Sequence, residues 1–279
     1  MMKKFVLSIL LSASALLVSA SVPSDLEAIT VHEQEEAQVD VGMKVGASVT
    51  KKLTKGLSLT LEEKVSLNHN FTRFSKSETE LKFSYKPVSH LKLDLAYDFL
   101  ATNKEGSKKS NYEDYWTLRH RLKFGVTGSY KVGPIKLSLR EKLQTTFRNK
   151  QMIIDGDWVS DEFDTMEKVG VSLKLYSRLK AEWSMRRVPI KPYVSVELGN
   201  TLNTPLPINN YITDVKSALG VVWSINAHNS FDFYFRYAYN IGKDVNVKYN
   251  DSGAIRKIKV VDEYTHTNQF GIMYKYNFK

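Results

Sequence analysis

The stretch Phe231-Asp-Phe-Tyr-Phe-Arg-Tyr-Ala-Tyr-Asn-Ile241 decides the fold. Its odd-numbered residues are apolar or aromatic throughout, and Asp232, Arg236 and Asn240 fall between them. Side chains of a β-strand point alternately to opposite faces, so this run has one apolar and one polar side. It is also long. Strands of ordinary sheets run about 5–6 residues, whereas a tilted strand needs about 9–11 to cross a bilayer.

The same period recurs along the chain. Downstream, Tyr264, Phe270, Ile272, Tyr274, Tyr276 and Phe278 keep one parity. Upstream, so do Val39 to Val49, Leu57 to Leu67, Leu81 to Tyr85, Leu91 to Phe99, Trp116 to Val126, Ile135 to Phe147, Val169 to Met185, Val194 to Leu198 and Val215 to Ile225. Ser177 is the one break in the run from Val169 to Met185. Short connections near residues 54–56, 86–90, 130–134, 187–190 and 226–230 alternate with long polar ones at 102–114, 148–165, 200–210 and 242–261. Pro87, Pro134 and Pro189 all fall in the short ones, where a missing N–H breaks no ladder. Short turns on one side and long loops on the other are the rhythm of a membrane barrel. Closure also satisfies every backbone polar group in lipid.

These features predict an all-β fold: a transmembrane antiparallel β-barrel with short periplasmic turns and long outer loops. Eleven runs are visible, and single-chain bacterial barrels have even strand numbers. A strand hidden before Ala37 gives twelve, the preferred count; one run outside the wall gives ten. Residues 1–20 read as a signal peptide, with Lys3 and Lys4 before an apolar stretch and Val18-Ser19-Ala20 as the cleavage site. Residues 21–37 form an arm that could be helix, strand or disordered, and 38–279 the barrel.

Composition narrows the function. The 279 residues contain no cysteine, which removes disulfides, thiolate metal sites and cysteine nucleophiles. Beyond the N-terminus no run of roughly 18 apolar residues exists, so a helical membrane protein is excluded. The net charge of +10 suits anionic lipid, anionic solutes or nucleic acid; no nucleic-acid motif accompanies it, and that partner is not expected.

The C-terminal segment Gln269-Phe-Gly-Ile-Met-Tyr-Lys-Tyr-Asn-Phe-Lys279 alternates aromatics and places Phe278 one residue before the end. In this it resembles bacterial outer-membrane β-barrels. The resemblance implies residence in the cell outer membrane, contact with its lipid, and recognition by the barrel assembly machinery through Tyr274, Tyr276 and Phe278. The strands Leu118-Arg-His-Arg-Leu122 and Pro192-Tyr-Val-Ser-Val-Glu-Leu198 are similar to an uncharacterised barrel family catalogued as domain of unknown function 2490. That family brings no activity with it.

The faces opposite the apolar ones should line the lumen. They carry Arg119, Arg121, Lys123, Arg140, Arg178 and Arg236, with Asp94, Asp98, Glu182 and Glu197 among them. One reading is a basic, passive pore for small anionic solutes. The other is a set of salt bridges that fills a narrow barrel and stiffens it. A surface barrel acting through its outer loops, as in adhesion, is the alternative function, and an outer-membrane acyl hydrolase a more distant one. Catalysis is not expected: His120 and His266 have no serine or aspartate convincingly placed beside them. No metal spacing and no phosphate loop is present, so no cofactor is expected. Glu63 and Glu141 fall on the apolar parity, where a β-bulge or a position at the membrane rim would accommodate them.

Overall fold

The computed structural model describes residues 30–34, 37–105, 114–154, 157–160, 171–185, 188–203, 211–250 and 255–278. The signal-peptide expectation for residues 1–20 lies outside them. Thirteen strands occur among the described residues and no helix. They are β1 (Thr30–Gln34), β2 (Gln38–Thr54), β3 (Leu57–Asn68), β4 (Arg73–Val88), β5 (Leu91–Glu105), β6 (Asp114–Val132), β7 (Ile135–Ile154), β8 (Asp157–Ser160), β9 (Val171–Trp183), β10 (Ile190–Thr201), β11 (Tyr211–Ser224), β12 (Asn229–Tyr249) and β13 (Ile255–Phe278).

Each strand from β2 to β7 and from β9 to β13 pairs antiparallel with the next, and β13 then pairs with β2 to close the ring. The wall therefore has eleven strands. The closing pair runs parallel, from Thr265 opposite Gln38 to Phe278 opposite Lys51. An odd wall requires this, because its first and last strands point the same way. The arm does hold a strand, but β1 does not make a twelfth stave. It pairs parallel with Ile258 to Asp262, on the same strand that β2 uses lower down.

Two stretches expected as loops are strand. β12 and β13 stay paired from Gly242–Glu263 up to Tyr249–Ile255, and β7 continues to Ile154 against β8. β11 pairs with β12 only as far as Asn240, so β12, β13 and β1 continue beyond the wall. The backbone ladder persists there, and Val245, Val247 and Tyr249 keep the odd parity of Phe231 to Ile241 with Lys243 as the one break.

The barrel is apolar outside and charged inside. Thirty-nine large apolar or aromatic side chains are exposed and seven apolar ones are buried among the described residues, which is the reverse of a water-soluble protein. β5 shows the rule most plainly: Leu95, Tyr97 and Phe99 are exposed while Ala96, Asp98 and Leu100 are buried. Outward aromatics gather at two levels. Toward the short turns, Phe231 stacks on Phe233 and meets Trp223 and Tyr274 in tilted contacts. Toward the long loops, Tyr97, Phe99 and His120 form one group and Tyr237, Tyr239, Tyr264 and His266 another. His266 and Tyr276 lie ten residues apart on β13. At about 3.3 Å per residue and a tilt near 40° that is about 25 Å of height, the thickness of a barrel's apolar band.

The two outward acids are not explained by register. No shift interrupts the ladders at Glu63 or Glu141. Hydroxyls of the neighbouring strand meet them instead: Ser77 Oγ (2.7 Å) and Thr79 Oγ1 donate to Glu63, and Ser177 Oγ donates to Glu141 (2.6 Å). Ser177 breaks the apolar run because it partners a carboxylate.

Candidate functional site

Because inward positions alternate along every strand, ladder registers translate directly into rows of lumen side chains. Eight of the ten charged residues expected in the lumen line one cavity of about 690 Å³: Arg121, Lys123, Arg140, Arg178, Arg236, Asp94, Glu182 and Glu197. Asp98 is fully buried beneath it. Arg119 lies on the same face one step nearer the long loops, opposite Leu100. The cavity runs from Lys86, Ser89 and Lys275 at the short-turn end to Lys76, Gln144 and Tyr176 at mid-height. Above that level the inward residues Leu100, Thr117, Thr213 and Asp214 are buried.

On the β3–β6 side, Glu62, Glu80, Asp98 and Arg121 occupy successive strands of one row. Glu78 stands one step along β4. Carboxylate oxygens of Glu78, Glu80 and Asp98 all lie within 4.8 Å of one another, close enough for a metal ion. The Lys123 ammonium stands among them instead, 2.5 Å from Asp98, 2.8 Å from Glu80 and 3.6 Å from Glu78. Arg121 reaches Asp98 at 3.4 Å, Lys76 reaches Glu78 at 3.0 Å, Lys82 reaches Glu80 at 2.7 Å, and Lys64 binds Glu62. Charges here are matched and locked.

The β7–β11 side is organised differently. Arg140, Arg178, Glu197 and Lys216 form one row across four strands. Arg140 binds Glu197 at 2.5 Å. Arg178 has no ion pair or hydrogen bond among the described residues, and the Nε atoms of both arginines are buried without acceptors. Lys142 has no carboxylate partner either; its ammonium sits 4.4 Å from the Tyr176 ring centre, with Lys216 4.9 Å from the same ring. Lys180 lies 3.8 Å over Tyr193, and Arg236 5.1 Å over Tyr234; Lys180 and Lys216 also bind Glu182 and Asp214, each at 3.1 Å, whereas Lys142 and Arg236 have the ring alone among the described residues. A ring holds a cation in place without cancelling its charge.

Three glycines make that possible. Tyr176 faces Gly199, Tyr193 faces Gly220 and Tyr234 faces Gly271 in the ladders. A Cβ on Gly199 would meet the Tyr176 ring at 2.7 Å, and on Gly220 or Gly271 it would meet the Tyr193 or Tyr234 ring closer still. Each tyrosine thus lies over the next strand, where a glycine in place of a side chain lets the ring cover bare backbone. Tyr193 Oη also donates to Asp232 (2.9 Å), which binds Lys275 at 2.6 Å.

The sequence reading did not single out Glu78, Glu80, Lys142's ring partner Tyr176, Tyr193 or Tyr234. Outward positions beside Glu78 and Glu80 are the hydroxyls Ser77 and Thr79, so the apolar marker that reveals parity is missing there. The tyrosines were detectable only as aromatics on the polar parity, one strand away from a glycine of the same parity.

His120 and His266 face outward. Each accepts or donates at Nδ1 to a tyrosine hydroxyl 2.6 Å away, Tyr97 and Tyr237 respectively.

A family model described as "Protein of unknown function (DUF2490)" matches residues 45–247. No curated protein matches the chain.

Proposed function

We propose that this chain, which belongs to the family described as protein of unknown function (DUF2490), is an outer-membrane barrel acting as a passive, anion-preferring channel. The observation that carries this reading is the charge of the cavity. Sixteen lysines and arginines line it against seven aspartates and glutamates. Low-dielectric walls of one sign raise the local concentration of counter-ions and repel co-ions. The outward apolar belt supports the membrane setting, since exposing it to water would cost about 25 cal/mol for each Å². Export through a signal at residues 1–20 and assembly through Tyr274, Tyr276 and Phe278 belong to the same reading.

Reversal potential in planar bilayers tests it. Under a potassium chloride gradient the purified barrel should pass chloride in preference to potassium. Potassium preference contradicts the proposal. A second, structural reading draws on the matched β3–β6 charges and the buried inward Leu100; a bilayer that stays sealed while the barrel inserts and resists heat favours that reading instead.

A further inference from the structure

The geometry points to a binding site for a phosphate dianion, or for a small solute carrying one, on the cation-rich side of the lumen, held by Arg140, Lys142, Arg178 and Arg236. This deepens the anion-preferring reading by naming the ligand chemistry, and it rests on that reading only for how the ligand arrives.

Four observations converge. First, Arg140 and Arg178 are direct cross-strand partners, so two arginine side chains leave the wall on the same face from backbones about 5 Å apart. Like charges placed opposite one another are destabilising unless something negative joins them. Second, Glu197 is the one carboxylate of that row, and it lies in the field of Lys142, Arg140, Lys216 and Arg178 together; Lys216 has Asp214 as well, at 3.1 Å, while Arg140, Lys142 and Arg178 share Glu197. Arg178 is in turn in the field of Arg140 and Arg236. One acid cannot neutralise this group. Third, both arginine Nε atoms are buried without an acceptor. A buried N–H without a partner is costly, and two adjacent ones in a polar cavity mark a place for an acceptor-rich group. Fourth, Lys142 and Arg236 are positioned by tyrosine rings rather than by carboxylates, so their charge remains available.

The residual charge selects the ligand. Chloride or a monocarboxylate brings one negative charge and few acceptor positions. A phosphate brings two charges and three or more oxygens, and arginine forks match such oxygens in pairs. The opposite side offers no comparable site, because Lys123, Arg121, Lys76 and Lys82 are already bound to Glu78, Glu80 and Asp98.

Calorimetric titration of the detergent-folded full barrel with inorganic phosphate at pH 8 tests the site, with chloride and acetate as comparison anions. Heat-modifiable gel migration verifies folding of every variant. Phosphate should bind one to one and at least tenfold tighter than acetate. Arg178→Gln should weaken phosphate at least tenfold. Arg178→Lys, which keeps the charge but loses the fork, should weaken it by a smaller factor and serves if the glutamine variant does not fold. Lys55→Gln, in a turn outside the lumen, should leave binding unchanged. Phosphate affinity equal in the native barrel and both Arg178 variants, or no preference over acetate, overturns the site. Bilayer recordings separate this from the channel reading. Chloride-selective current without phosphate binding removes the site and leaves the channel; phosphate binding in a barrel that passes no current does the reverse.

Discussion

On β3–β6 three carboxylates stand in one row, Glu62, Glu80 and Asp98, with lysines and Arg121 reaching into it. On β7–β11 the corresponding row reads Arg140, Arg178, Glu197, Lys216, with two cations adjacent and one acid beside them. Both rows set like charges on neighbouring strands. They differ in what fills the space between. Lys123 touches three acids at once, whereas Arg178 touches none among the described residues. Charge on the first side is used up in holding the wall together, and on the second the charge of Arg178 and Lys142 is left facing the cavity. A formal tally of lysines and arginines does not distinguish these cases; pairing does.

The difference can be broken most severely at Lys123. Lys123→Met leaves Glu78, Glu80 and Asp98 crowded without their shared cation, and removing one member of a buried ion cluster costs about 3–5 kcal/mol. Urea unfolding of the folded barrel should show that loss. The matching change across the lumen, Arg178→Met, removes an unsatisfied cation and should leave stability within about 1 kcal/mol of the native barrel, or raise it. Equal destabilisation by the two variants would erase the contrast.

Glycine substitution acts on the second side alone. Gly220→Val drives a side chain into the Tyr193 ring, and such overpacking costs about 1–3 kcal/mol. It also displaces the ring that holds Lys180, so the same urea experiment should be accompanied by a fall in anion preference. Glu197→Gln makes a smaller change of opposite sense. With its one acid gone, the Arg140–Arg178 row should pass anions more selectively, read as a reversal potential shifted further toward that of chloride. The smallest effect belongs to the outer face: Glu141→Leu exchanges a carboxylate bonded to Ser177 for an apolar group and should move stability by no more than about 1 kcal/mol.

The same contrast shows which parts of the molecule a sequence reveals. The wall from Phe231 to Ile241 was legible because lipid-type and lumen-type residues alternate without interruption. From Gly242 to Tyr249 the ladder continues past Lys243, which interrupts the apolar parity and hides the resumption at Val245, Val247 and Tyr249. Closure on eleven strands was not legible either, because parallel pairing of β2 with β13 depends on which ends meet and leaves no periodicity. In the lumen, Arg140, Arg178 and Glu197 were identified by parity, but parity carries no distance. That Lys123 is saturated and Arg178 is not follows from strand stagger, which brings Glu78 and Glu80 of β4 to Lys123 of β6 across an intervening strand. The tyrosine–glycine pairs likewise join residues 23 to 37 positions apart, such as Tyr176 with Gly199 and Tyr234 with Gly271.

The central claim is that the cation excess around the Arg140–Arg178 row, where Glu197 is the one acid of the row, and not lumen charge in general, gives the barrel its preference for anions. The most direct measurement is the reversal potential of two double variants in the same bilayer and salt gradient. Arg140→Gln with Arg178→Gln should abolish most of the chloride preference, while Lys82→Gln with Lys92→Gln, on the side where both lysines are bound to carboxylates, should leave it nearly unchanged. Equal loss in the two double variants, or loss only in the second, would contradict the account.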